Sequence, residues 1–361
     1  MRLWILPAVA ALAAAGYGLM LASDAGLFRE VRVQHLGACR VVEGVPGPED
    51  MAWDAETGFV YISSQHRHAA IAGRPVPGAI WRYRPGAPAS LRNLTPAATI
   101  DFRPHGVSLV RNAEGRRRLF VINHPGGNLF DRRTDWPAHL PRHTVEVFDV
   151  STDGLMPVAT HADALIRTPN DIAAVDFERY YFTNDHGIES GWKRTLEDWL
   201  RRPWASVVYF DGREYRTVAE GLNYANGIAL SDNGERVYVA ETTRSRIREY
   251  TRDAATGGLT EQRPIAIGFG VDNLVIHPGD GALWLAGHVN LFAFLGHARD
   301  AGNLSPSIAA RIDLKEGSVE TVFMDDGQLL SGSSVAVRAG DYLLIGAVFS
   351  PHLVECRLGR G

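Results

Sequence analysis

Six short segments rich in oxygen-bearing residues recur along this 361-residue chain: Pro48-Glu49-Asp50, Pro104-His105-Gly106, Pro169-Asn170-Asp171, Ala225-Asn226-Gly227, Val271-Asp272-Asn273 and Gly332-Ser333-Ser334. Their middle residues are Glu49, His105, Asn170, Asn226, Asp272 and Ser333, with Asp50, Asp171 and Asn273 directly beside them. Taken singly each is an ordinary turn residue, because Asn, Asp and Gly gather wherever strands begin. Brought together they would form a hard-oxygen site of carboxylates and amide carbonyls with no thiolate. Calcium takes about six to eight such oxygens in adaptable geometry, whereas zinc favours His and Cys. Without a cation to neutralise it, a buried cluster of this kind is costly. His105 lies in the same set, and His124 ends the segment that follows it. A neutral imidazole accepts a proton near neutral pH and a second can orient it. A lone His is more often structural than catalytic; a His facing a metal site is the better candidate. His186 and His288 occupy comparable positions and are candidate pocket residues.

The elements that would gather these residues are legible as a repeat. A β-rich hexapeptide with a large apolar second residue recurs six times: Val60-Gln65, Leu119-His124, Tyr180-Asp185, Val237-Thr242, Leu283-His288 and Leu343-Val348. The second residues are Tyr61, Phe120, Tyr181, Tyr238, Trp284 and Leu344, separated by 59, 61, 57, 46 and 60 positions. From the middle of each oxygen-rich segment to that large residue the spacing is 12, 15, 11, 12, 12 and 11. Turn formers such as Asp232-Asn233-Gly234 lie between the two, which suits hairpins. Further strands are expected at Ala79-Tyr83, Thr144-Asp149, Ser206-Tyr209 and Arg246-Tyr250. A six-bladed β-propeller with four-stranded blades satisfies this pattern, and its inner strands would deliver the oxygen-bearing heads to one end of a central channel. Two β-sandwich domains would not explain six similar units.

Composition narrows the rest. A net charge of −4 and a sequence pI near 6.4 give no reason to expect a nucleic-acid partner. Met1-Arg2 followed by the uncharged run Leu3 to Ala22 reads as a signal peptide or signal-anchor over residues 1–25, with residues 26–361 as the folded domain. Either reading exports the chain, and an anchor would associate it with a membrane. The two cysteines, Cys39 and Cys356, bracket the folded part; in an oxidising compartment they read as a disulfide, with two separate buried thiols as the other reading. Ser190-Arg201 has Trp192, Leu196, Trp199 and Leu200 at helical spacing, an amphipathic insertion that is a lid, a membrane contact or simply a packed helix. Asn93-Leu94-Thr95 and Asn303-Leu304-Ser305 match the N-glycosylation tripeptide.

At the heads and in Asn123-His124-Pro125, Thr183-Asn184-Asp185-His186, Tyr224-Ala225-Asn226-Gly227-Ile228 and Gly346-Ala347-Val348-Phe349 the chain resembles the paraoxonase/arylesterase family of calcium-dependent propeller hydrolases. The likeness runs from about Cys39 to Cys356. It implies two calcium ions: a catalytic one on Glu49, Asn170, Asn226, Asp272 and Asn273, and a structural one on Asp50, Asp171 and the Val107 carbonyl. It also implies a bonded Cys39–Cys356 pair, an uncleaved leader, and His105 with His124 as the dyad that activates water. Small esters or lactones are then the expected substrates, with Tyr224, Asp185, His186 and His288 at the pocket and the loops Gly126-His143 and Asn290-Ser307 shaping it. A gluconolactonase-like or strictosidine-synthase-like enzyme, or a non-catalytic propeller stabilised by calcium, are the rival readings.

Overall fold

In the computed structural model the described residues are 5–359, apart from 75, 96–100, 128–132, 134, 135 and 153. The first four residues of the expected leader, and much of the 126–143 loop, thus lie outside them. Six antiparallel sheets follow one another around an axis. Their innermost strands are Pro48–Asp54, Pro104–Arg111, Pro169–Ala174, Ala225–Leu230, Gly270–Ile276 and Ser333–Ala339. Each hexapeptide forms the next strand outward, at Phe59–Ser64, Arg117–Asn123, Tyr180–Asn184, Arg236–Glu241, Leu283–His288 and Tyr342–Ala347. The expected strands between copies are present as the third strands Ala79–Tyr83, Thr144–Val150, Ala205–Phe210 and Arg246–Arg252. Two blades carry a short extra strand beyond the four-stranded plan.

The apolar hexapeptides are explained by burial on both faces. Side chains alternate along a strand, so Leu119 and Val121 pack with Tyr61 and Ile80 of the preceding blade. Phe120 and Ile122 turn the other way, onto Tyr180 and Phe182 of the following blade. Each blade is thus wedged between two neighbours. Closure comes from the chain ends: Ala38–Glu43 completes the last blade by pairing with His352–Arg357, and Cys39 lies directly opposite Cys356. The two sulfurs are bonded.

At the head of every inner strand the ladder skips. The register breaks between Pro48 and Asp50, Pro104 and Val107, Pro169 and Ile172, Ala225 and Ile228, Val271 and Leu274, and Ser333 and Val335. A bulge re-aims side chains out of the pleat, and the residues skipped include Glu49, His105, Asn170, Asn226, Asp272 and Asn273. Gly106 and Gly227 belong to two of these bulges because a Cβ there would strike the neighbouring inner strand, 2.6 Å from Asp171 Cα and 2.5 Å from the Asp272 carbonyl oxygen respectively.

Among the described residues four α-helices decorate the propeller: α1 (Ile5–Asp24), α2 (Arg67–Ile71), α3 (Trp192–Trp199) and α4 (Leu291–Arg299). Among the described residues no helix is long and apolar enough to cross a membrane. The C-terminal part of α1 docks on the domain, where Tyr17 Oη donates to the Trp199 carbonyl and Asp24 pairs with Arg201. In α3 the amphipathic faces are used inside out: Arg194 and Glu197 are buried, whereas Trp192 and Trp199 are 69% and 59% exposed.

The disulfide closes a loop of 317 residues. Replacing both Cys39 and Cys356 with Ser should lower the unfolding free energy by about 2–5 kcal/mol, read as a reduced guanidinium midpoint with far-UV dichroism retained. An unchanged midpoint would show that strand pairing alone holds the ring shut.

Candidate active site

The bulged heads line a cavity of about 340 Å³ at one end of the channel. Glu49, His105, Asn170, Asn226 and Asp272 all face it, so five of the six middle residues come together. Ser333 does not join them. It stays in the ladder opposite Ala347, and its hydroxyl donates to the Gly287 carbonyl at 2.8 Å; in this blade the skipped residue is Ser334, which donates to the Glu49 carbonyl at 2.6 Å.

The hydrogen bonds among the heads leave a particular set of atoms unused. Asn273 Nδ2 donates to both the backbone carbonyl and the Oε1 of Glu49, at 3.1 and 2.9 Å. The single proton of Thr242 Oγ1 goes to the Val271 carbonyl at 2.6 Å, so the amide group it meets in Asn226 at 3.1 Å must be the nitrogen. Both amides are therefore fixed with their oxygens turned away from these partners. Glu49 Oε2, Asn170 Oδ1, Asn226 Oδ1 and Asn273 Oδ1 are buried and accept no hydrogen bond. Glu49, Asn170 and Asn226 line the cavity and Asn273 is bonded to Glu49 beside it, and orphans so grouped are costly unless something electropositive meets them. Among the described residues no three His, Cys, Asp or Glu side chains converge as ligands; the donor set here is one carboxylate with amide oxygens. Asp272 lies beside them, with Oδ2 at 3.1 Å from His288 Nε2.

Asp50 and Asp171 are bonded differently. Asp50 Oδ1 accepts from the Met51 N–H and Oδ2 from the Val107 N–H, at 2.8 and 2.7 Å. Asp171 repeats the pattern on Ile172 and Ile228, both at 2.7 Å. Each carboxylate ties its own strand to the next one. Burial pushes both well above the usual carboxylate range, and at Asp50 the negative charges of Asp171 and Glu49 add to it. Added positive charge would relieve that repulsion.

His105, Asn170 and Tyr224 also face a second, more polar cavity of about 400 Å³, lined further by Arg67, His124, His143, Asp185 and Arg194. The rings of His105 and His124 meet edge to face with centroids 5.1 Å apart. His105 Nε2 lies 3.5 Å from Glu49 Oε1, and Arg67, buried in α2, reaches toward its Nδ1 at 3.5 Å. His124 Nδ1 is 2.8 Å from His143 Nδ1, while its buried Nε2 has no partner. Burial first, then the neighbouring His143 and His105, hold His124 well below the ordinary imidazole range and keep it neutral. His143 and Arg67 lie outside the repeated segments, which is why spacing did not single them out.

Of the other pocket residues, Asp185 and Tyr224 line the polar cavity and His288 the first. His186 is set behind the wall, between Asp185 at 2.8 Å and Asp198 of α3 at 2.7 Å. The two loops expected to shape the pocket contribute Gly127 and His143 on one side and Leu291, Phe292, Phe294 and Leu295 on the other.

The fold is a six-bladed propeller with an axial pocket of acids and amides and histidines at its edge. The arylesterase family model matches residues 90–358. Serum paraoxonase/arylesterase 1 from Homo sapiens is 31% identical over 90% of both chains, and serum paraoxonase/arylesterase 2 from Rattus norvegicus 30% identical over 93% of both. A gluconolactonase from Xanthomonas campestris shares the fold at 18% identity, with a TM-score of 0.54 over 91% of this chain and 94% of its own. The chain belongs to the paraoxonase/arylesterase family, and its broad class is that of an esterase or lactonase.

Burial, and the Arg194 guanidinium 2.8 Å from Nδ1, would lower the His186 imidazole, but Asp185 and Asp198 outweigh them and raise it to about 9. A raised folded value contributes stability that is full below the unfolded pKa of about 6.5, fades as pH climbs, and is gone above about 9. The amount is on the order of 2–3 kcal/mol. Between pH 7 and pH 10 the wild type should lose roughly 3–5 °C more in Tm than His186→Gln; parallel losses would show that the His186 charge contributes nothing.

Proposed function

We propose that this chain is an exported, calcium-dependent hydrolase of carboxylic esters and lactones. The observation that carries the reading is the set of four buried oxygens without partners, on Glu49, Asn170, Asn226 and Asn273. All are hard donors, as calcium prefers. With Asp272 they would hold the catalytic ion; Asp50, Asp171 and the Val107 carbonyl would hold a second. A bound calcium ion there would act as a Lewis acid toward the substrate carbonyl oxygen.

The chain's own residues then do the rest. His105 faces both cavities and accepts the proton of the attacking water as its oxygen bonds to the carbonyl carbon. His124 steadies His105 from its edge. When the acyl C–O bond breaks, the leaving alkoxide takes up that proton, so the base is regenerated. Asp272 is close enough to the axis to share the proton. Tyr224 and Asp185 form the wall against which the substrate lies. The disulfide, and relatives that are named as serum proteins, both agree with export.

One observation favours a single-ion site of the gluconolactonase kind: both carboxylate oxygens of Asp50 and of Asp171 already accept a backbone N–H. Elemental analysis counts the ions.

Phenyl acetate and a simple lactone should be hydrolysed with calcium and not with chelator. Asp272→Ala and Asn226→Ala should lose activity together with the thermal stabilisation that calcium confers. His105→Gln should lower kcat by about 100-fold or more and keep the calcium-induced Tm shift. Full activity of His105→Gln on every ester and lactone tested would remove His105 from the base role.

A further inference from the structure

The bonding of His124 points to a third histidine. His143 is buried, faces the polar cavity, and brings its Nδ1 to 2.8 Å from His124 Nδ1. The ring planes stand at 86°, and His124 also meets His105 at 81°, so the His124 ring makes edge-to-face contacts with two other imidazoles.

This placement follows from the blade. The second and third strands are paired with Asn123 opposite Thr144, so His124 and His143 face each other one step past the end of the ladder. The connecting loop is pinned at its base, where Gly126 N–H donates to the Arg142 carbonyl at 3.1 Å and Arg142 Nη1 returns a bond to the Gly126 carbonyl at 2.8 Å. Position 126 must be glycine for this approach, since a Cβ would lie 2.9 Å from Arg142 Cγ and 3.0 Å from its Cα. The loop base is built to hold residue 143 against residue 124.

A bond between two Nδ1 atoms holds one proton, and the ring that lacks it must accept. Whichever way it runs, His143 fixes which nitrogen of His124 carries hydrogen, and so what His124 Nε2 presents toward its surroundings. Free imidazole exchanges tautomers readily; a partner on one nitrogen fixes the other. We infer that His143 is a positioning residue that locks the tautomer of His124, extending the proposed dyad into a cluster of three histidines. The inference rests on the reading of His105 and His124 as the pair that handles the water proton.

The test uses the full chain with calcium. His143→Leu removes the partner, His143→Asn returns a polar group near the Nδ1 position, and His143→Gln places one further out. With histidine-selective ¹⁵N labelling, and His124 assigned by loss of its signals in His124→Gln, the wild type should show one His124 tautomer. The Leu variant should show a mixture, Asn the wild-type form, and Gln should resemble Leu. On phenyl acetate, kcat should fall about tenfold or more in Leu and Gln, with KM within about twofold, and recover in Asn. Should the Leu variant not fold, the contrast between Asn and Gln decides. A wild-type His124 spectrum with kcat within twofold in both Leu and Gln overturns the inference. If the wild type hydrolyses none of the esters or lactones, the proposed function fails, and the spectra alone decide whether His143 locks His124.

Discussion

The bulge at the head of each inner strand is the feature on which the rest of the molecule depends. A regular ladder would point alternate head residues into the blade interfaces, where only apolar side chains are tolerated. The register breaks instead between Pro48 and Asp50, Pro169 and Ile172, Ala225 and Ile228, and Val271 and Leu274, freeing Glu49, Asn170, Asn226, Asp272 and Asn273 from the ladder. Bulges of this kind commonly sit beside active sites because they re-aim side chains. Here they concentrate carboxylate and amide oxygens in a buried space, an arrangement that is unfavourable by itself. The blades supply the compensating rigidity: each inner strand backs onto a fully buried hexapeptide wedged between two neighbours.

Most of this was legible in the sequence for a physical reason. Two-sided burial forces the first three residues of each hexapeptide to be apolar, and the bulge forces polar residues just upstream, so both signals repeat with the blade. Ser333 shows the limit of reading by spacing. It occupies the expected distance from Leu344, yet the bulge in that blade falls one residue later, on Ser334. A shift of one residue turns a side chain to the other face of a strand.

Two further features were hidden because they depend on what meets what. Hydrophobic periodicity identifies the faces of α3 but not which face turns inward. Its polar face does, because the surface beneath it presents the charged pair Asp185 and His186 and the backbone N–H groups of Gly187 and Ile188, which Glu197 caps at 2.8 and 3.1 Å. His143 lies at the end of a long loop outside the repeat, and only the pairing of Asn123 with Thr144 reveals its neighbour. Helix α1 likewise shows its apolar character in sequence but not its docking, in which Leu21, Asp24 and Ala25 help to wall the first cavity.

The proposed function comes down to one claim, carried by the unsatisfied oxygens: a hard divalent cation belongs on the propeller axis. Crystals grown in calcium, with data collected where calcium scatters anomalously, test it directly. An anomalous peak is expected within ligand distance, about 2.3–2.6 Å, of Glu49 Oε2 and the side-chain oxygens of Asn170, Asn226 and Asn273. Density explained by water alone, with those amides turned to hydrogen-bond one another, would contradict it.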